Sequence, residues 1–470
     1  MPASSYDRLT QLDNSFLVYE DANAPLHIGV TQIFEAGPLR GPGGGVDVAR
    51  VQEYVASRLH RIPRYRQRLA RTPLEGHPIW VDDAHFNIGY HVRHTRLPRP
   101  GSERLLKRTA GRILSQHLDR SKPLWEMWVI EGLEGDRFAI VTKTHHCMID
   151  GVSGAELLNE LLTPEPLEKI EPPPAWVPLP APGTVELARD EVVRALRRPV
   201  AAAGALWSLA RDRDGTRERL AERARALGRL LSSGAPDASR TSLNQPIGPH
   251  RRIDWLPMDL GAVRRVRQAL GGTVNDVVLA TVAGGVRRFL GVHRGEEVDA
   301  LDFRVMAPVS TRPAGEHGAT GNRVAAWIVR LPIDEPDPRR RLARVREATA
   351  ELKRTRQALG AEALIQVGEW SGAIGLALSS RFIHVSQPFN LVVTNVPGPR
   401  ERLYLLGAAL LEAHPMVPLL GSFSTGIALF SYRDTLSWGF TADWDLVPDL
   451  HELVGSVEHA FRRLCEAAGV

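Results

Sequence analysis

The chain has 470 residues, of which 43% are hydrophobic and 24% are charged. That composition excludes a disordered or fibrous protein, and the length predicts two domains of about 200 residues each. The formal net charge of +5 favours contact with anionic partners but is too small to indicate a nucleic acid.

Three features of the sequence bear on its place in the cell. No apolar run reaches the roughly 18 residues that a membrane-spanning helix needs. The N-terminus lacks the basic and apolar regions of a secretory signal. The two cysteines, Cys147 and Cys465, do not make a disulfide framework, which fits a reducing compartment. We therefore expect a cytoplasmic protein.

The first part of the chain is predicted to mix helices and strands. Residues 12–16 predict a turn or short helix, which leads into a strand over residues 25–30. Helical spacing of apolar side chains covers residues 48–59, and the arginine-rich segment 60–69 continues it. Further predicted elements are strands at 80–83 and 90–92 and an amphipathic helix at 102–117.

A strand, a histidine pair and a helix follow one another in residues 137–162, RFAIVTKTHHCMIDGVSGAELLNELL. Alternating side chains predict a half-buried strand that ends at His145 and His146 and that forms a hairpin with residues 123–133. Gly151 permits a turn, and the capping-box sequence SGAE after it predicts the start of a helix. This arrangement would hold a histidine rigidly at the edge of a sheet.

Proton transfer explains the use of such a histidine. A hydroxyl group is a poor nucleophile at neutral pH, so a neutral imidazole must remove its proton as it attacks an acyl carbon. The unperturbed imidazole pKa lies near the working pH. Because neighbouring side chains on a strand point to opposite faces, we assign the general base to His146 and a supporting role to His145. Asp150 is expected to accept a hydrogen bond or to pair with an arginine, which would hold the loop.

Four other interpretations of this segment stay open. In the first, the histidines and Asp150 form a satisfied structural cluster. In the second they bind a metal, although the chain has no HExxH motif and no second close histidine pair. Ser153 loosely matches the serine of a hydrolase nucleophile elbow, although Ala155 replaces the second glycine and helix capping alone explains this serine. The fourth has Cys147 as an acyl-accepting nucleophile beside His146.

The middle of the chain connects its two halves. Residues 163–182 are rich in proline and predict a semi-rigid, extended linker. Residues 185–231 are rich in alanine, leucine and arginine and predict two or three helices. Such a basic amphipathic stretch either lies on an anionic membrane surface or forms connecting helices with solvated arginines, and the sequence favours neither.

The second half contains another candidate active-site segment. A helix is predicted at residues 260–270, and a second one follows Thr273, which fits its N-cap, with Asp276 at the N3 position. Asn275 then lies in the first turn, where free N–H groups and the helix dipole favour negative charge. We therefore expect Asn275 to stabilise an oxyanion or to orient an alcohol; the alternative is an ordinary asparagine at a helix start. Further predicted elements are strands at 303–309, 322–332 and 390–396, a hairpin of 427–432 with 435–443, and a helix at 450–468.

Several motifs together are similar to one protein family. The sequence HHCMIDG, which ends at Gly151, matches HHxxxDG, the signature of the CoA-dependent acyltransferase superfamily. That superfamily includes chloramphenicol acetyltransferase, carnitine acyltransferases and the condensation domains of peptide synthetases. The segments LDNSFL, PLHIG, PLW, SLNQPIGPHRR, TVNDVVLA and NVPGP resemble the bacterial wax ester synthase/diacylglycerol acyltransferase family. They are spread over almost the whole chain.

The resemblance implies an α/β fold of two chloramphenicol-acetyltransferase-like domains, each a mixed sheet with helices, which meet at a central tunnel. We expect an N-terminal acyltransferase domain over residues 1–182 and a helical, arginine-rich linker over residues 183–241. A C-terminal acyltransferase domain is expected over residues 242–470.

The implied activity is transfer of a long-chain fatty acyl group from acyl-CoA to a diacylglycerol, a long-chain alcohol or both, which makes triacylglycerol or wax ester. Acyl-CoA is a co-substrate, and neither a cofactor nor a metal is expected. Peripheral contact with the inner membrane or with lipid inclusions is expected. The expected catalytic residues are His146, His145, Asp150 and Asn275, and the expected substrate-binding residues are Gly151, Asp276, Thr394 and Asn395.

Two other functions stay open beside this one. The first is a condensation-type acyltransferase that takes its acyl group from a carrier protein. The second is a non-catalytic lipid-binding protein that has the same fold.

Overall fold

The computed structural model describes residues 5–148, 160–167, 169–196, 237–310, 324–354 and 387–470. In chain order, its strands are β1 (Asp7–Arg8), β2 (His27–Glu35), β3 (Gln67–Arg71), β4 (Pro78–Asp82), β5 (Val92–Arg96), β6 (Trp125–Leu133), β7 (Arg137–His145), β8 (Arg251–Asp259), β9 (Phe303–Ser310), β10 (Val324–Leu331), β11 (Leu391–Val396), β12 (Tyr404–Leu405), β13 (Ala408–Met416), β14 (Thr425–Tyr432) and β15 (Thr435–Asp443). Its helices are α1 (Gln11–Tyr19), α2 (Val48–Arg58), α3 (Ile88–His91), α4 (Glu103–Ser115), α5 (Leu260–Leu270), α6 (Val274–Arg288), α7 (Pro338–Arg354) and α8 (Leu450–Ala468). Residues 184–196 are also helical.

The described residues form two six-stranded sheets. The first has the order β12-β13-β2-β7-β6-β5, in which β5 and β6 run parallel. Strand β7 lies near its middle, hydrogen-bonded to β2 on one side and β6 on the other. Its side chains alternate between two buried clusters, with Phe138 and Ile140 on one face and Ala139 and Val141 on the other. Because both faces are covered, the strand that ends in His145 is firmly held.

The second sheet has the order β10-β9-β11-β14-β15-β8, and β11 runs parallel to both of its neighbours. Helices α5 to α8 contribute to the core cluster on one of its faces. Helix α6 is buried from Asp276 to Val286, as expected for a helix that is apolar all round. Two mixed sheets with helices confirm the fold class that the sequence predicts.

The two halves of the chain share a strand. Strand β13 comes from the second half but pairs with β2 in the first sheet. It also touches the second sheet: a Cβ atom on Gly439 of β15 would lie 1.7 Å from the carbonyl oxygen of Pro415. On the same strand, His414 stacks on Trp255 of β8 with ring centroids 4.4 Å apart. The predicted C-terminal domain, residues 242–470, thus contributes a strand to the sheet of the predicted N-terminal domain. The domain boundaries at residues 182 and 241 stay a prediction.

Two local predictions were wrong. Residues 60–69 do not continue the preceding helix, because Leu59–Arg61 and Pro63–Arg66 form short 3-10 turns and β3 follows. Pro63 cannot donate a backbone hydrogen bond, and β3 instead pairs with β4 in a small sheet of order β1-β4-β3. Tyr90 and His91 end α3 rather than beginning a strand.

Within the described ranges, no single helix is both long and apolar enough to cross a membrane. The pair Leu260–Leu270 and Val274–His293 meets those two criteria only when its parts are taken together, across a bend of 98°.

Candidate active site

The histidine pair stands where β7 ends, between two segments that the family resemblance singled out. The backbone N–H of His145 donates to the carbonyl of Leu124 at 3.0 Å, and that of His146 donates to the carbonyl of Leu26 at 2.9 Å. Leu124 belongs to the PLW segment and Leu26 to the PLHIG segment. Both backbones are therefore held in place as the chain leaves the sheet.

His145 is fully buried, and its neighbours select one tautomer. The backbone N–H of Cys147 donates to Nδ1 of His145 at 3.1 Å, so a neutral ring carries its proton on Nε2. That atom lies 3.5 Å from Oε1 of Glu20. His145 thus faces a carboxylate inside the protein, which suits the supporting role predicted for it.

Glu20 gathers several cationic or potentially cationic groups, which we call the Glu20 cluster. Its Oε1 lies 3.4 Å from Nε2 of His27 and 3.5 Å from Nδ1 of His117, and its Oε2 accepts a hydrogen bond from Arg120 at 2.6 Å. Burial raises the pKa of the Glu20 carboxyl, but hydrogen bonds from His145, His27 and Arg120 outweigh it and hold that pKa well below its usual range. The cluster therefore contains a buried carboxylate that stays ionised.

His27 is opposite His145 in the β2–β7 register. Burial lowers the pKa of His27 to about 4, against the opposing hydrogen bond with Glu20. At neutral pH this imidazole is uncharged, so it adds no positive charge beside Glu20.

His146 is half-buried and stacks on Phe16. The two ring centroids are 4.0 Å apart and the planes are 18° from parallel. Phe16 lies in α1, which begins after the N-cap Thr10 and has Glu20 as its C-cap residue. One short helix therefore supports both histidines, through Phe16 for His146 and through Glu20 for His145.

Sequence reasoning missed Phe16, Glu20 and His27 as site residues. Residues 12–16 carry no chemical signature, and the interpretation as ordinary structure was the natural one. The signal that could have found them was the resemblance of LDNSFL and PLHIG to the family, because both segments reach the histidine pair.

An aromatic group supports the end of β7 from the β6 side. Trp125, of the PLW segment, is 2% exposed and stacks on His91 at 4.5 Å between centroids. Its Nε1 donates to the carbonyl of Tyr65, and the Tyr65 hydroxyl lies 3.1 Å from Oγ1 of Thr144. Since Thr144 immediately precedes the histidine pair, this packing restricts the direction in which the pair leaves the sheet.

The interpretation of Cys147 as an acyl-accepting nucleophile loses support, whereas the metal interpretation includes Asp150, which lies outside the described residues. Burial raises the pKa of the Cys147 thiol well above its usual value, whereas a cysteine nucleophile needs an accessible thiolate. No group of three or more His, Cys, Asp or Glu side chains in the described residues has the geometry of a metal site.

The predicted cap of α6 is confirmed. Thr273 and Asp276 form a capping box, in which the Asp276 carboxylate accepts from the backbone N–H of Thr273 at 2.7 Å. The other Asp276 oxygen accepts from the Thr349 hydroxyl at 2.7 Å. Asn275 is half-buried in the first turn, as expected. Both Asp276 oxygens are thus used in hydrogen bonds, one with Thr273 of the cap and one with Thr349 of α7. Asn275 lies beside it, at the positive end of the helix dipole.

Thr394 and Asn395 lie in the second half of β11 and are half-buried. Side chains alternate along a strand, so Thr394 shares a face with Val396, which packs on a core cluster of the first sheet. Asn395 shares the opposite face with Val393, which packs in the core of the second sheet. Of these two predicted residues, Thr394 is thus the one directed towards the histidine-bearing half.

The remaining predicted site residues lie outside the described residues. They are Asp150 and Gly151, together with Ser153 of the hydrolase alternative and the predicted helix that follows. Their roles stay predictions.

Comparison with known proteins agrees with the motifs. Family models of the wax ester synthase/diacylglycerol acyltransferase catalytic domain and of the WS/DGAT C-terminal domain match residues 9–278 and 320–465. A putative diacylglycerol O-acyltransferase of Mycobacterium tuberculosis (strain CDC 1551) is 34% identical over 99% of this chain and 91% of its own length. A probable diacylglycerol O-acyltransferase of Mycobacterium tuberculosis (strain H37Rv) is 31% identical over 97% of this chain and 96% of its own.

Solved structures agree with these sequence matches. The wax ester synthase/diacylglycerol acyltransferase from Marinobacter aquaeolei VT8 has a TM-score of 0.67 and 26% identity, and the match covers 98% of this chain and 100% of that one. The first condensation domain of the calcium-dependent antibiotic synthetase has a TM-score of 0.60 at 19% identity, with 99% and 97% covered, a likeness in fold alone. The chain therefore belongs to the wax ester synthase/diacylglycerol acyltransferase family.

Proposed function

We propose that this acyltransferase moves a long-chain fatty acyl group from acyl-CoA to a diacylglycerol, a long-chain alcohol or both, with His146 as the general base. The observation that carries the proposal is the different setting of the two histidines. His145 is buried beside Glu20, whereas His146 is half-exposed at the end of β7 and stacked on Phe16.

The reaction follows from a neutral imidazole at His146. This ring takes the proton of the acceptor hydroxyl while the oxygen attacks the thioester carbonyl carbon. A tetrahedral oxyanion forms and collapses, and the carbon–sulfur bond breaks. The CoA thiolate then takes the proton from the His146 imidazolium, so that an ester, free CoA thiol and a neutral histidine result. General-base help of this kind contributes about 10²- to 10⁴-fold.

Other residues are proposed for binding and orientation. The position of Asn275 in the first turn of α6 supports a role in stabilising the oxyanion or orienting the alcohol, a contribution of about 10²- to 10³-fold for one donor. Thr394 and Asn395 are proposed to line the substrate channel. Asp150 is proposed to hold the histidine loop, and Gly151 is proposed to lie against the substrate. Asp276, predicted as a substrate-binding residue, has its carboxylate occupied by Thr273 and Thr349 and is proposed to hold α6 in place instead.

Release of CoA thiol from palmitoyl-CoA tests this proposal, with hexadecanol and a diacylglycerol offered separately. We expect release to depend on an acceptor and to be lost in His146→Ala. The matched control is His451→Ala, a solvent-exposed histidine of α8, which should keep full activity. An active His146→Ala protein would contradict the assignment.

The same assay separates the other functions. Activity with an acyl-carrier thioester but not with acyl-CoA would favour a condensation-type enzyme. Lipid binding without any turnover, unchanged in His146→Ala, would favour a binding protein. The preferred acceptor distinguishes triacylglycerol from wax ester synthesis.

We also propose peripheral contact with the inner membrane or with lipid inclusions. The contacting segment is the linker, residues 183–241, between the proposed acyltransferase domains of residues 1–182 and 242–470. The helix at 184–196 supports this contact, because four of its apolar residues point outwards. On its inner side, Leu187 packs on Ile79 and Val81, and Glu191 accepts the backbone N–H groups of Leu74 and Glu75. Its exposed apolar residues are Val185, Val192, Val193 and Leu196.

Sedimentation with anionic vesicles tests this contact. We expect the double variant Val192→Ser/Leu196→Ser to leave more protein in the supernatant than the wild type does, because two exposed apolar side chains no longer enter the lipid interface. Equal sedimentation of the two proteins would place the contact elsewhere.

A further inference from the structure

A basic cleft lies between α6, α7 and α8, in the second half of the chain. Its volume is about 320 Å³. Four arginines and one histidine line it, and none of the lining residues, within the part of the chain that the structure describes, is acidic. These basic residues are Arg287, Arg288, Arg341, Arg463 and His459.

Arg341 is the buried member of this group, at 6% exposure. Its Nε donates to the carbonyl of Glu335 at 3.0 Å and its Nη2 to the carbonyl of Pro336 at 2.9 Å. Its Nη1 lies against Gly284, where a Cβ atom would approach it to 2.4 Å. Gly284 itself lines the cleft, so the absent side chain leaves room for a guanidinium at the cleft wall.

The charge of Arg341 is only weakly compensated. It forms no ion pair with any carboxylate of the described residues, and its hydrogen-bond acceptors are neutral carbonyls. Burial, with repulsion from Arg287, lowers the pKa of Arg341 to about 10, while Glu335 and Asp337 act in the opposite direction. A buried cation without a close counter-charge is costly unless a ligand supplies one.

The surrounding cations add to this excess. Arg288 likewise forms no ion pair in the described part of the chain. Arg287 and Arg463 pair with Asp299 and Glu466, but these are surface pairs whose energy is small and which can be exchanged for a ligand.

We propose that this cleft binds a phosphate or pyrophosphate group, at a site separate from the acyl-transfer centre. Planar guanidinium groups offer paired N–H donors that match phosphate oxygens, and several of them converge here. Gly284 comes nine residues after Asn275 on α6, a separation of about 14 Å along the helix. None of the residues that line the cleft is among those proposed for acyl transfer, so the proposal does not depend on the acyl-transfer chemistry.

Calorimetric titration with inorganic pyrophosphate tests the site, at an ionic strength held constant with chloride. We expect saturable binding, and we expect Arg288→Gln and Arg463→Gln each to raise Kd by about tenfold, which is one charge-assisted hydrogen bond. The matched control is Arg462→Gln, the next arginine on α8, which is exposed and pairs with Glu458 instead. Its Kd should equal that of the wild type.

Three results would overturn the proposal: no saturable heat, a Kd that neither cleft variant changes, or an equal loss in Arg462→Gln. The second of these would assign the pyrophosphate to another site, such as that for the CoA phosphates. If the site is supported, vesicles with and without phosphatidic acid show whether the bound phosphate group belongs to a lipid or to a soluble molecule. Binding to phosphatidic acid that requires Arg288 indicates a lipid headgroup, and its absence indicates a soluble phosphate.

Discussion

Two residues of the α1 segment, Phe16 and Glu20, contact the histidine pair. Phe16 and Glu20 are four positions apart, and residues with this spacing lie on the same face of a helix. That face meets the end of β7, where Phe16 covers His146 and Glu20 lies beside His145. His146, the proposed general base, and its neighbour His145 are therefore oriented by an element more than a hundred positions away in the sequence.

Loss of the Phe16 ring should reduce catalysis more than stability. We expect Phe16→Ala to lower kcat by about 2- to 10-fold, because a stacked aromatic pair contributes about 0.5–1.5 kcal/mol to the orientation of the His146 imidazole. Steady-state thiol release measures this change. Val18→Ala, at an exposed position of the same helix, is the control. An equal fall in both variants would mean that α1, and not the stacking, matters.

Buried neutral histidines should make the protein less stable in mild acid. His27 has a pKa lowered from 6.5 to about 4, so the unfolded chain binds a proton below pH 6.5 that the folded chain refuses until about pH 4. Stability from this group is present above the unfolded pKa and is lost as the pH falls towards the folded value. Burial lowers the pKa of His91 and of His414 in the same direction.

Replacement of His27 tests this linkage. Between pH 7 and pH 5, the wild type should lose about 2 kcal/mol of unfolding free energy more than His27→Gln loses, since each pH unit below the unfolded pKa costs about 1.36 kcal/mol. Urea unfolding at the two pH values measures it. Parallel losses in both proteins would show that His27 is already charged in the folded state.

Among the elements, α6 carries two neighbouring residues for which we propose different roles. Asp276 caps the helix and also accepts from Thr349 of α7, so its carboxylate holds two helices together. Asn275 has no part in the capping box. The pair thus allows a structural and a catalytic role to be told apart on one turn.

A substitution of Asp276 should mainly lower stability, whereas a substitution of Asn275 should mainly lower activity. We expect Asp276→Ala to lower the unfolding free energy by about 1–3 kcal/mol, because the backbone N–H of Thr273 loses its acceptor in the capping box and the hydrogen bond from the Thr349 hydroxyl is lost. Asn275→Ala should keep the melting temperature but lower kcat by about 10²-fold. Thermal unfolding and thiol release, measured on both variants, check this. A fully active Asn275→Ala protein would remove Asn275 from the mechanism.

At the scale of the whole molecule, β13 connects the two large sheets. It is hydrogen-bonded within the first sheet and its backbone lies against the second. The closest approach is at Gly439, where any side chain would collide with the carbonyl of Pro415. Because that neighbour is backbone in a paired strand, it cannot move aside cheaply.

Gly439→Ala should therefore separate the two sheets and lower the melting temperature by several degrees, which corresponds to an overpacking cost of about 1–3 kcal/mol. Gly455→Ala is the control: a Cβ atom there meets nothing within 4 Å, and alanine favours the helix by about 1 kcal/mol. Differential scanning calorimetry compares them. An unchanged melting temperature for Gly439→Ala would mean that the sheets can shift apart.

The sequence by itself determined the elements whose signals are local. The strand before His145, the capping box of Thr273 and the helices at 260–270 and 450–468 follow from side-chain periodicity and from cap residues, which act within a few positions. The motifs also indicated the family, because they combine residue types that one reaction requires.

Only the tertiary structure decided what surrounds those elements. Glu20, His27 and Phe16 reach the histidine pair across a sheet, and β13 crosses between the halves, because hydrogen-bonded pairing of distant strands leaves no trace in local periodicity. Pairing likewise turned Gln67–Arg71 into β3, where helical spacing alone predicted a helix. Burial then set the charge state of His27, since desolvation depends on neighbours brought together by the fold.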